Sequence, residues 1–411
     1  MKIGFVGMTH LGLCYLAACA HKKFAVKGFD LDREKINNLN NLIIEHDEPM
    51  LKKILNKNKK KIRFSKNFRE LNKLDIVFIS LDVKTNNYGE ADFRPLLNLI
   101  NKVKKNINKK ANLVILSQVR PGFTTKINFE KKRLFYQVET LIFGQAISRA
   151  INPERIIVGS FNNKEINKKY RTFLNKFQCP IIKMNYESAE LSKISINIFL
   201  ASSISISNML ARTCKNISAD WSQVVTALKL DKRIGPHAYL KPGLGISGGN
   251  LERDLFSIKK IMQSDNHGKN IINSFIKNSE YMKDWVYRIL NKKLKKKMII
   301  GILGLAYKDN TNSTKNSPSI KLLKKIKSNK VLAYDPIAKV KNYKNFKQLK
   351  DIKIVLKKSH LILLMTDWKN TIKLNNYMKK INLKSKIAID PYNLIKSPMR
   401  KRFEEYINIG N

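Results

Sequence analysis

The sequence predicts an α/β protein in which two Rossmann-like domains, each a doubly wound parallel sheet, are joined by a helical central domain with a long connecting helix. Three observations predict this architecture. Apolar runs of strand length alternate with helical stretches over residues 1–180, a proline-free helical stretch fills residues 187–229, and the alternation returns over residues 296–411. A chain of 411 residues is also long enough for two or three domains.

The first predicted domain, residues 1–180, opens with a strand at 2–7, a helix at 11–22 and a second strand at 25–30. The first strand is a short apolar run, and the helix is rich in Ala and Leu. Later apolar runs continue the alternation, at 75–81, 112–116 and 156–159. The sequence therefore predicts one parallel α/β domain with a glycine turn after its first strand.

The turn Gly7-Met-Thr-His-Leu-Gly12 lies where a dinucleotide-binding domain has Gly-x-Gly-x-x-Gly. Gly7 permits the tight turn and Gly12 permits close packing, but Thr9 replaces the glycine that lets the backbone approach a pyrophosphate. Asp30 ends the second strand, where a carboxylate binds ribose hydroxyls and repels a 2′-phosphate. We therefore predict NAD rather than NADP, with a domain that has lost its cofactor as the alternative. The predicted cofactor-binding residues are Gly7, Thr9, His10, Leu11, Gly12 and Asp30.

The predicted central domain, residues 181–290, is helical because Leu191, Ile194 and Ile198 recur at helical intervals. A helix of this length commonly connects two domains. The last domain, residues 296–411, follows a lysine-rich stretch at 291–297 that marks its entrance. Its predicted strands lie at 298–304, 330–335, 361–365 and 387–390.

The net charge of +49, with a pI near 10.1, suggests nucleic acid or an anionic membrane as a partner. Lysine is spread along the whole chain, however, and is not concentrated in one stripe interleaved with aromatic residues. We therefore predict no specific nucleic-acid binding. The positive field would still attract anionic nucleotides.

The four cysteines, Cys14, Cys19, Cys179 and Cys214, lack the spacing of metal ligands. This usage predicts free thiols in a reducing cytoplasm and no metal site. The N-terminal apolar run imitates a signal peptide, but glycines interrupt it and a strand follows. No apolar stretch reaches the roughly 18 residues of a transmembrane helix, so we predict a cytoplasmic protein without membrane insertion.

Several motifs, in chain order, resemble those of nucleotide-sugar dehydrogenases, the UDP-glucose/GDP-mannose dehydrogenase family. Residues 117–124, Ser-Gln-Val-Arg-Pro-Gly-Phe-Thr, resemble the family's Ser-Thr-Val-x-Pro-Gly-Thr-Thr, with Gln118 in place of an active-site threonine. Glu139 resembles the first glutamate of the family's Pro-Glu-Phe-Leu-x-Glu, and Phe143 replaces the second. Residues 152–159 match the segment that follows. The resemblance adds Gln118 to the cofactor site and Glu139 to the catalytic site.

The segment 188–201 is similar to the family's helix that carries a catalytic lysine and asparagine. Lys193 and Asn197 are four residues apart, so they share one helix face and can converge on one substrate oxygen. The resemblance implies that both act at the reacting hydroxyl, where Lys193 would accept the hydroxyl proton through a water and Asn197 would hold the developing alkoxide. It also implies that Arg233, in Leu230-Asp-Lys-Arg-Ile-Gly-Pro236, reaches the sugar nucleotide across a homodimer.

The segment Gly243-Leu-Gly-Ile-Ser-Gly-Gly-Asn-Leu-Glu-Arg-Asp254 resembles the family's catalytic loop, with Asn250 where the family has cysteine. The loop would still wrap the substrate through Gly245, Gly248 and Gly249, with Asp254 orienting a water. Family members oxidise a sugar CH2OH to a carboxylate by two hydride transfers to NAD, and the second needs the cysteine as nucleophile. We therefore expect Asn250 to alter the second oxidation and to leave the first intact.

The last domain resembles the family's UDP-binding domain. Lys308 and Lys315 stand at places where lysines would pair with uridine diphosphate, although Asn312, Ser313 and Tyr392 depart from the family's residues. The resemblance favours a UDP-sugar substrate and a role in polysaccharide biosynthesis. Three interpretations remain open: an NAD-dependent oxidoreductase on a nucleotide sugar, an epimerase or isomerase that retains its NAD, and a nucleotide-sugar-binding protein without catalysis.

Overall fold

The computed structural model describes residues 1–45, 48–83, 86, 90–341, 343–369 and 371–410. It divides into two compact units, Met1–Ile196 and Asn197–Asn411. The boundary lies within one long helix, so the division into three domains at 1–180, 181–290 and 296–411 stays a prediction.

The first unit contains an eight-stranded sheet whose strands run in the order β3-β2-β1-β4-β5-β6-β7-β8. The strands are β1 Lys2–Val6, β2 Ala25–Phe29, β3 Ile62–Ser65, β4 Ile76–Ile79, β5 Asn112–Ile115, β6 Leu134–Gln137, β7 Ile156–Ser160 and β8 Ile181–Asn185. The helices are α1 His10–His21, α2 Arg33–Asn40, α3 Leu51–Lys57, α4 Arg94–Asn106, α5 Ala146–Ile151 and α6 Lys168–Asn175; α7 Tyr186–Asn216 begins here and ends in the second unit.

The central strands are continuous apolar runs because helices cover both faces of the sheet. Leu16 of α1 and Phe173 of α6 belong to one buried cluster, and Leu99 and Val103 of α4 belong to the other. The predicted strands and the doubly wound topology are confirmed. One pair departs from the expected parallel arrangement, because β7 enters the sheet antiparallel to β6.

The strand order places four connections at one edge of the sheet. β1 lies between β2 and β4, and β5 follows β4, all four in parallel. The turns after these strands therefore meet at their shared carboxyl edge, where open α/β sheets bind ligands. Those turns carry Gly7, Asp30, Leu81 and Gln118.

The second unit contains the end of α7, four further helices and then a six-stranded parallel sheet in the order β11-β10-β9-β12-β13-β14. Its strands are β9 Ile300–Leu303, β10 Val331–Tyr334, β11 Phe346–Gln348, β12 Leu361–Leu364, β13 Ile387–Asp390 and β14 Glu405–Asn408. Its further helices are α8 Trp221–Leu230, α9 Asn250–Ile261, α10 Asn266–Lys283, α11 Trp285–Lys293, α12 Pro318–Lys325, α13 Ile352–Lys358, α14 Ile372–Lys379 and α15 Ser397–Arg400. The predicted second Rossmann-like sheet is confirmed.

The predicted single helix over 187–229 is two helices. Ser218 adopts a left-handed backbone with φ of 59°, and the Asp220 side chain accepts a hydrogen bond from Ser222 N–H as the N-cap of α8. A left-handed residue followed by a side-chain cap ends one helix and begins the next.

Helix α7 also has a longer apolar stretch than predicted. An 18-residue window in its 31 residues has a mean hydropathy of 1.5 and is 39% buried. By length and composition it could cross a membrane, so the statement that no stretch of the chain has this property was wrong. The core helix of a soluble protein can have the same length and composition.

Candidate functional site

The glycine turn has the backbone that its two glycines permit. Gly7 has φ of 96°, and a Cβ there would lie 2.9 Å from the Leu81 Cα. A Cβ at Gly12 would lie 2.2 Å from the Gly7 carbonyl oxygen. Neither position accepts a side chain, so α1 packs tightly against the end of β1.

Asp30, which follows the last residue of β2, contacts this turn. Its Oδ2 accepts a hydrogen bond of 2.8 Å from Met8 N–H and lies 3.3 Å from Lys35 Nζ. The carboxylate also borders a cavity of about 600 Å³, which is of ligand-binding size. The cavity is lined by Gly7, Asp30, Leu31, Leu81, Asp92, Arg94, Pro95, Asn98 and Leu99. An apolar cavity with a carboxylate at its wall fits the adenosine half of a dinucleotide.

Helix α1 begins at His10, and the side chain of Thr9, the residue before it, does not cap the helix. Thr9 is the N-cap, yet its side chain makes no capping bond; its Oγ1 instead donates to the Ser80 carbonyl at 3.0 Å and accepts from Asp82 N–H at 3.2 Å. His10 and Leu11 are buried. The first amides of α1 are therefore not capped by Thr9, and a helix start of this kind attracts anions.

A buried carboxylate, Glu48, holds the side chain of His10. Glu48 lies 3.0 Å from His10 Nε2 and accepts hydrogen bonds from the backbone N–H groups of Gly144 and Ala146. Burial opposes ionisation, but these hydrogen bonds prevail and lower the pKa of Glu48. The ring of Phe143 stacks on His10 at 4.3 Å between centroids. Glu48 was not predicted as a site residue, because its only signal in the sequence is an acid before a proline.

Glu139 and Lys193 form a buried ion pair in the first unit. Lys193 Nζ lies 2.8 Å from Glu139 Oε1, and Glu139 Oε2 accepts from Leu141 N–H at 2.9 Å. The structure thus brings together two residues that the sequence assigned separately to the catalytic site. A carboxylate offers acceptor lone pairs, whereas an ammonium offers only donors.

A second buried carboxylate, Glu190, fixes the turn that carries Gln118. Its oxygens accept from the N–H groups of Gly122 and Thr124 at 2.6 and 2.8 Å. Burial raises the pKa of Glu190, while these hydrogen bonds act in the opposite direction. Gln118 is half-buried at the carboxyl edge after β5.

Asn197 and Asp254 meet in the second unit. Asn197 Nδ2 donates to Asp254 Oδ2 at 2.5 Å, and Arg253 Nε lies 3.1 Å from Asp254 Oδ1. Asp254 is 1% exposed, so both of its oxygens are used inside the protein. Asn197 follows Lys193 by about one turn of α7.

The loop 243–249 depends on its glycines. Gly245 and Gly248 have φ of 78° and 84°, and side chains there would meet the Ser279 carbonyl oxygen at 2.5 Å and the Tyr307 ring at 2.7 Å. Gly249 is the N-cap of α9, and Asn250, its first residue, is exposed. The loop therefore presents Asn250 at a helix start.

The predicted substrate-binding cations take different positions. A Cβ at Gly249 would lie 3.4 Å from Lys315 Nζ, so Lys315 borders the loop. Lys308 Nζ lies 5.7 Å from the Tyr307 ring centroid. Arg233 is at the surface in a bidentate pair with Asp231, at 3.0 and 2.7 Å. Among the described residues, the hydrogen bonds of the Arg233 side chain go to this neighbour rather than to the loop.

Within the described part of the chain, no group of three or more His, Cys, Asp or Glu side chains could hold a metal ion. The four cysteines are free thiols; three of them, Cys14, Cys19 and Cys214, are buried. Burial raises the pKa of Cys14 and Cys19 well above that of an ordinary thiol. These thiols have the character of core residues rather than nucleophiles.

Profiles of the UDP-glucose/GDP-mannose dehydrogenase family match the chain in order. The NAD binding domain matches residues 1–177, the central domain residues 187–280 and the UDP binding domain residues 301–397.

The chain is also similar to UDP-glucose 6-dehydrogenases of bacteria. It is 29% identical over 423 residues to UDP-glucose 6-dehydrogenase TuaD of Bacillus subtilis, a match that covers 96% of this chain and 89% of the relative. It is 30% identical over 421 residues to UDP-glucose 6-dehydrogenase of Rickettsia bellii, covering 97% and 96%.

Solved structures share the fold. The UDP-glucose dehydrogenase from Pyrobaculum islandicum has a TM-score of 0.85 at 22% identity, with 99% of this chain and 96% of the other covered. The UDP-N-acetyl-mannosamine dehydrogenase Cap5O from Staphylococcus aureus has a TM-score of 0.78 at 20% identity, with 100% and 98% covered.

Proposed function

The chain belongs to the UDP-glucose/GDP-mannose dehydrogenase family, and on this basis we propose that it is an NAD-dependent oxidoreductase acting on a CH–OH group of a nucleotide sugar. The observation that supports this most directly is the pair of buried polar contacts on α7. Lys193 pairs with Glu139, and Asn197 pairs with Asp254. Buried charged groups of this kind are typical of catalytic sites.

NAD would be held at the carboxyl edge of the first sheet. Gly7 and Gly12 allow the backbone to approach the pyrophosphate, and Asp30 faces the cavity where the adenosine ribose fits. The amides of His10 and Leu11, together with Thr9 and Gln118, complete the proposed cofactor site. When bound, NAD would supply the hydride acceptor for the oxidation of the substrate carbon.

We assign the proton-accepting role to Glu139, directly or through a water. The sequence favours Lys193 for this role, but the ion pair makes Lys193 a donor and leaves Glu139 as the group with lone pairs. As the substrate carbon loses its hydride, the hydroxyl proton passes to Glu139. Lys193 and Asn197 then stabilise the negative charge that develops on the oxygen, and Asp254 orients Asn197.

Asn250 limits the chemistry that is available after the first oxidation. Its carboxamide cannot ionise or form a thiohemiacetal with an aldehyde, so the covalent route to a carboxylate is absent at this position. We propose that the enzyme releases a carbonyl product after one hydride transfer. The same residue favours a second candidate, in which the hydride returns to the carbon and the protein acts as an epimerase or isomerase. An arrangement that only binds nucleotide sugars remains the third alternative.

The substrate is a nucleotide sugar, in keeping with the UDP binding domain, and we propose that its base is uracil. Lys308 and Lys315 would pair with the diphosphate as point charges, with Gly245, Gly248 and Gly249 around the sugar. Arg233, exposed at the surface, would act on the site of a second subunit.

A homodimer is supported by apolar side chains left exposed on α7 and α8. They include Phe199, Ile206, Met209, Val224 and Leu230. We propose that a second copy of the chain covers them. A cytoplasmic location and a role in polysaccharide biosynthesis belong to the same proposal, as do domain limits at 1–180, 181–290 and 296–411.

The experiment is a product analysis with purified protein, NAD and a panel of UDP- and GDP-sugars. We expect NADH absorbance and a UDP-sugar product that is two hydrogens lighter, or its hydrate. Lys193→Ala should stop both signals and still bind the sugar nucleotide. Absence of any sugar modification by a protein that binds NAD would refute the catalytic proposal and leave the binding interpretation.

A further inference from the structure

The segment after β4 runs directly along the glycine turn. A Cβ on Gly7 would lie 2.9 Å from both the N and the Cα of Leu81, so the backbones of the two segments are in contact. Thr9 Oγ1 ties them together, since it donates to the Ser80 carbonyl and accepts from Asp82 N–H. Asp82 is therefore placed at the start of α1 by its own backbone.

The backbone bond to Thr9 holds Asp82 beside the amides that an anion would use at this helix start. The residue is exposed to solvent. An exposed carboxylate is thus fixed next to the first turn of α1 by the backbone bond between Asp82 and Thr9.

The pyrophosphate of a dinucleotide binds at this same place in a Rossmann domain. Backbone N–H groups of the glycine turn and of the first helical turn surround it, and the helix dipole favours its charge. A carboxylate near those donors repels the two negative charges of the pyrophosphate and competes for the same hydrogen bonds.

We propose that Asp82 sets the affinity of the cofactor site, because its carboxylate competes with the cofactor pyrophosphate for the donors at the start of α1. The proposal rests on the proposed function, since it assumes that the glycine turn binds NAD. Asp82 is a specificity-determining residue in this role: it weakens ligands that carry a pyrophosphate and leaves the adenosine end of the cavity unaffected.

Direct binding measurements test the proposal without enzymatic turnover. NAD, ADP and adenosine are titrated calorimetrically into wild type, Asp82→Asn and Asp82→Glu at one ionic strength, because salt screens such charges. We expect Asp82→Asn to bind NAD and ADP about tenfold tighter than wild type. Adenosine, which has no pyrophosphate, should bind all three proteins alike, and Asp82→Glu should stay close to wild type.

Glu130→Gln is the matched control. It removes one negative charge from the same unit, but Glu130 precedes β6 and so lies at the opposite edge of the sheet. Its NAD affinity should equal that of wild type. Asp82→Asn keeps the backbone bond to Thr9, and equal melting temperatures will show that it folds.

The outcomes separate the two proposals. If wild type and Asp82→Asn bind NAD equally, or the variant binds more weakly, the role of Asp82 is refuted while NAD binding stands. If adenosine tightens as much as NAD, the effect does not involve the pyrophosphate and the role is again refuted. If neither protein binds NAD at millimolar concentration, both the cofactor assignment and the role of Asp82 fail.

Discussion

Lys193 and Glu139 form an ion pair whose side chains are 10% and 12% exposed, with 2.8 Å between Nζ and Oε1. One partner comes from a helix and the other from the loop after β6, so the pair fixes that loop on α7. Removal of a single partner would leave an uncompensated charge in a largely dry environment. We therefore propose that the pair has both a structural role and a catalytic role.

The two roles of this pair can be separated by a double-mutant cycle. Glu139→Gln and Lys193→Met should each lower the free energy of unfolding by about 3 kcal/mol, because each leaves a buried charge. Turnover should fall by about 10²- to 10⁴-fold in each. The double variant should recover most of the stability but none of the turnover. Urea unfolding and NADH formation measure the two effects, and activity within about tenfold of wild type would limit the pair to a structural role.

Asp30 should set the choice between NAD and NADP. Wild type should bind NAD more tightly, because the Asp30 carboxylate repels a 2′-phosphate and binds the ribose. Asp30→Asn should lose much of this preference, as followed by fluorescence titration with both dinucleotides. Asp335→Asn is a matched control, since Asp335 accepts hydrogen bonds from Leu305 and Ala306 N–H at the end of β10 in the second sheet. Tighter binding of NADP by wild type would contradict the assignment.

The glycine loop offers a test with an internal control. Gly248 and Gly235 both have left-handed backbones, with φ of 84° and 79°. A Cβ at Gly248 would lie 2.7 Å from the Tyr307 ring, whereas at Gly235 it would meet nothing within 4 Å. Gly235→Ala should cost only the backbone strain, about 1 kcal/mol. Gly248→Ala should in addition displace the loop and weaken nucleotide-sugar binding; equal effects of the two variants on binding would argue that the loop does not touch the substrate.

The sequence predicted the two sheets because long apolar runs and glycine turns are local signals. It also predicted that the glycine turn follows the first strand and that Asp30 ends the second, since both belong to the Rossmann pattern. It could not predict Glu48, whose partners lie 38 to 98 residues away, at His10, Gly144 and Ala146. Nor could it give the partner of Lys193, because helical spacing shows which residues share a face but not what packs against that face.

Glu48 should make stability depend on pH. Its pKa is lowered from the ordinary 4.5 in the folded protein, so the stability it contributes is present above pH 4.5 and is lost as pH falls through the lower folded value. Glu48→Gln should melt at a lower temperature near pH 7, by an amount equivalent to about 2 kcal/mol. The difference in melting temperature between Glu48→Gln and wild type should shrink as the pH falls below 4.5 and through the lower pKa of Glu48 in the folded protein.

A surface glutamate provides the comparison for Glu48. Glu165 pairs with Lys183 and Arg171 but is exposed, so water screens its charge. Glu165→Gln should therefore leave the melting temperature nearly unchanged from pH 7 downward. If the difference between Glu48→Gln and wild type is constant with pH, ionisation of Glu48 in the folded protein is not its cause.

The stoichiometry of oxidation should be one NADH per sugar, or no net NADH, because Asn250 offers no thiolate to trap an aldehyde. Asn250 begins α9, where the helix dipole favours a negative charge, so a cysteine placed there would ionise readily. Asn250→Cys should therefore gain a second oxidation and form a carboxylate with two NADH per sugar, while Asn250→Ser, which lacks a thiol, should not. Mass spectrometry of the product and nicotinamide absorbance distinguish these outcomes. A carboxylate made by wild type with two NADH per sugar would sink the proposal and point to water activated by Glu139 as the nucleophile.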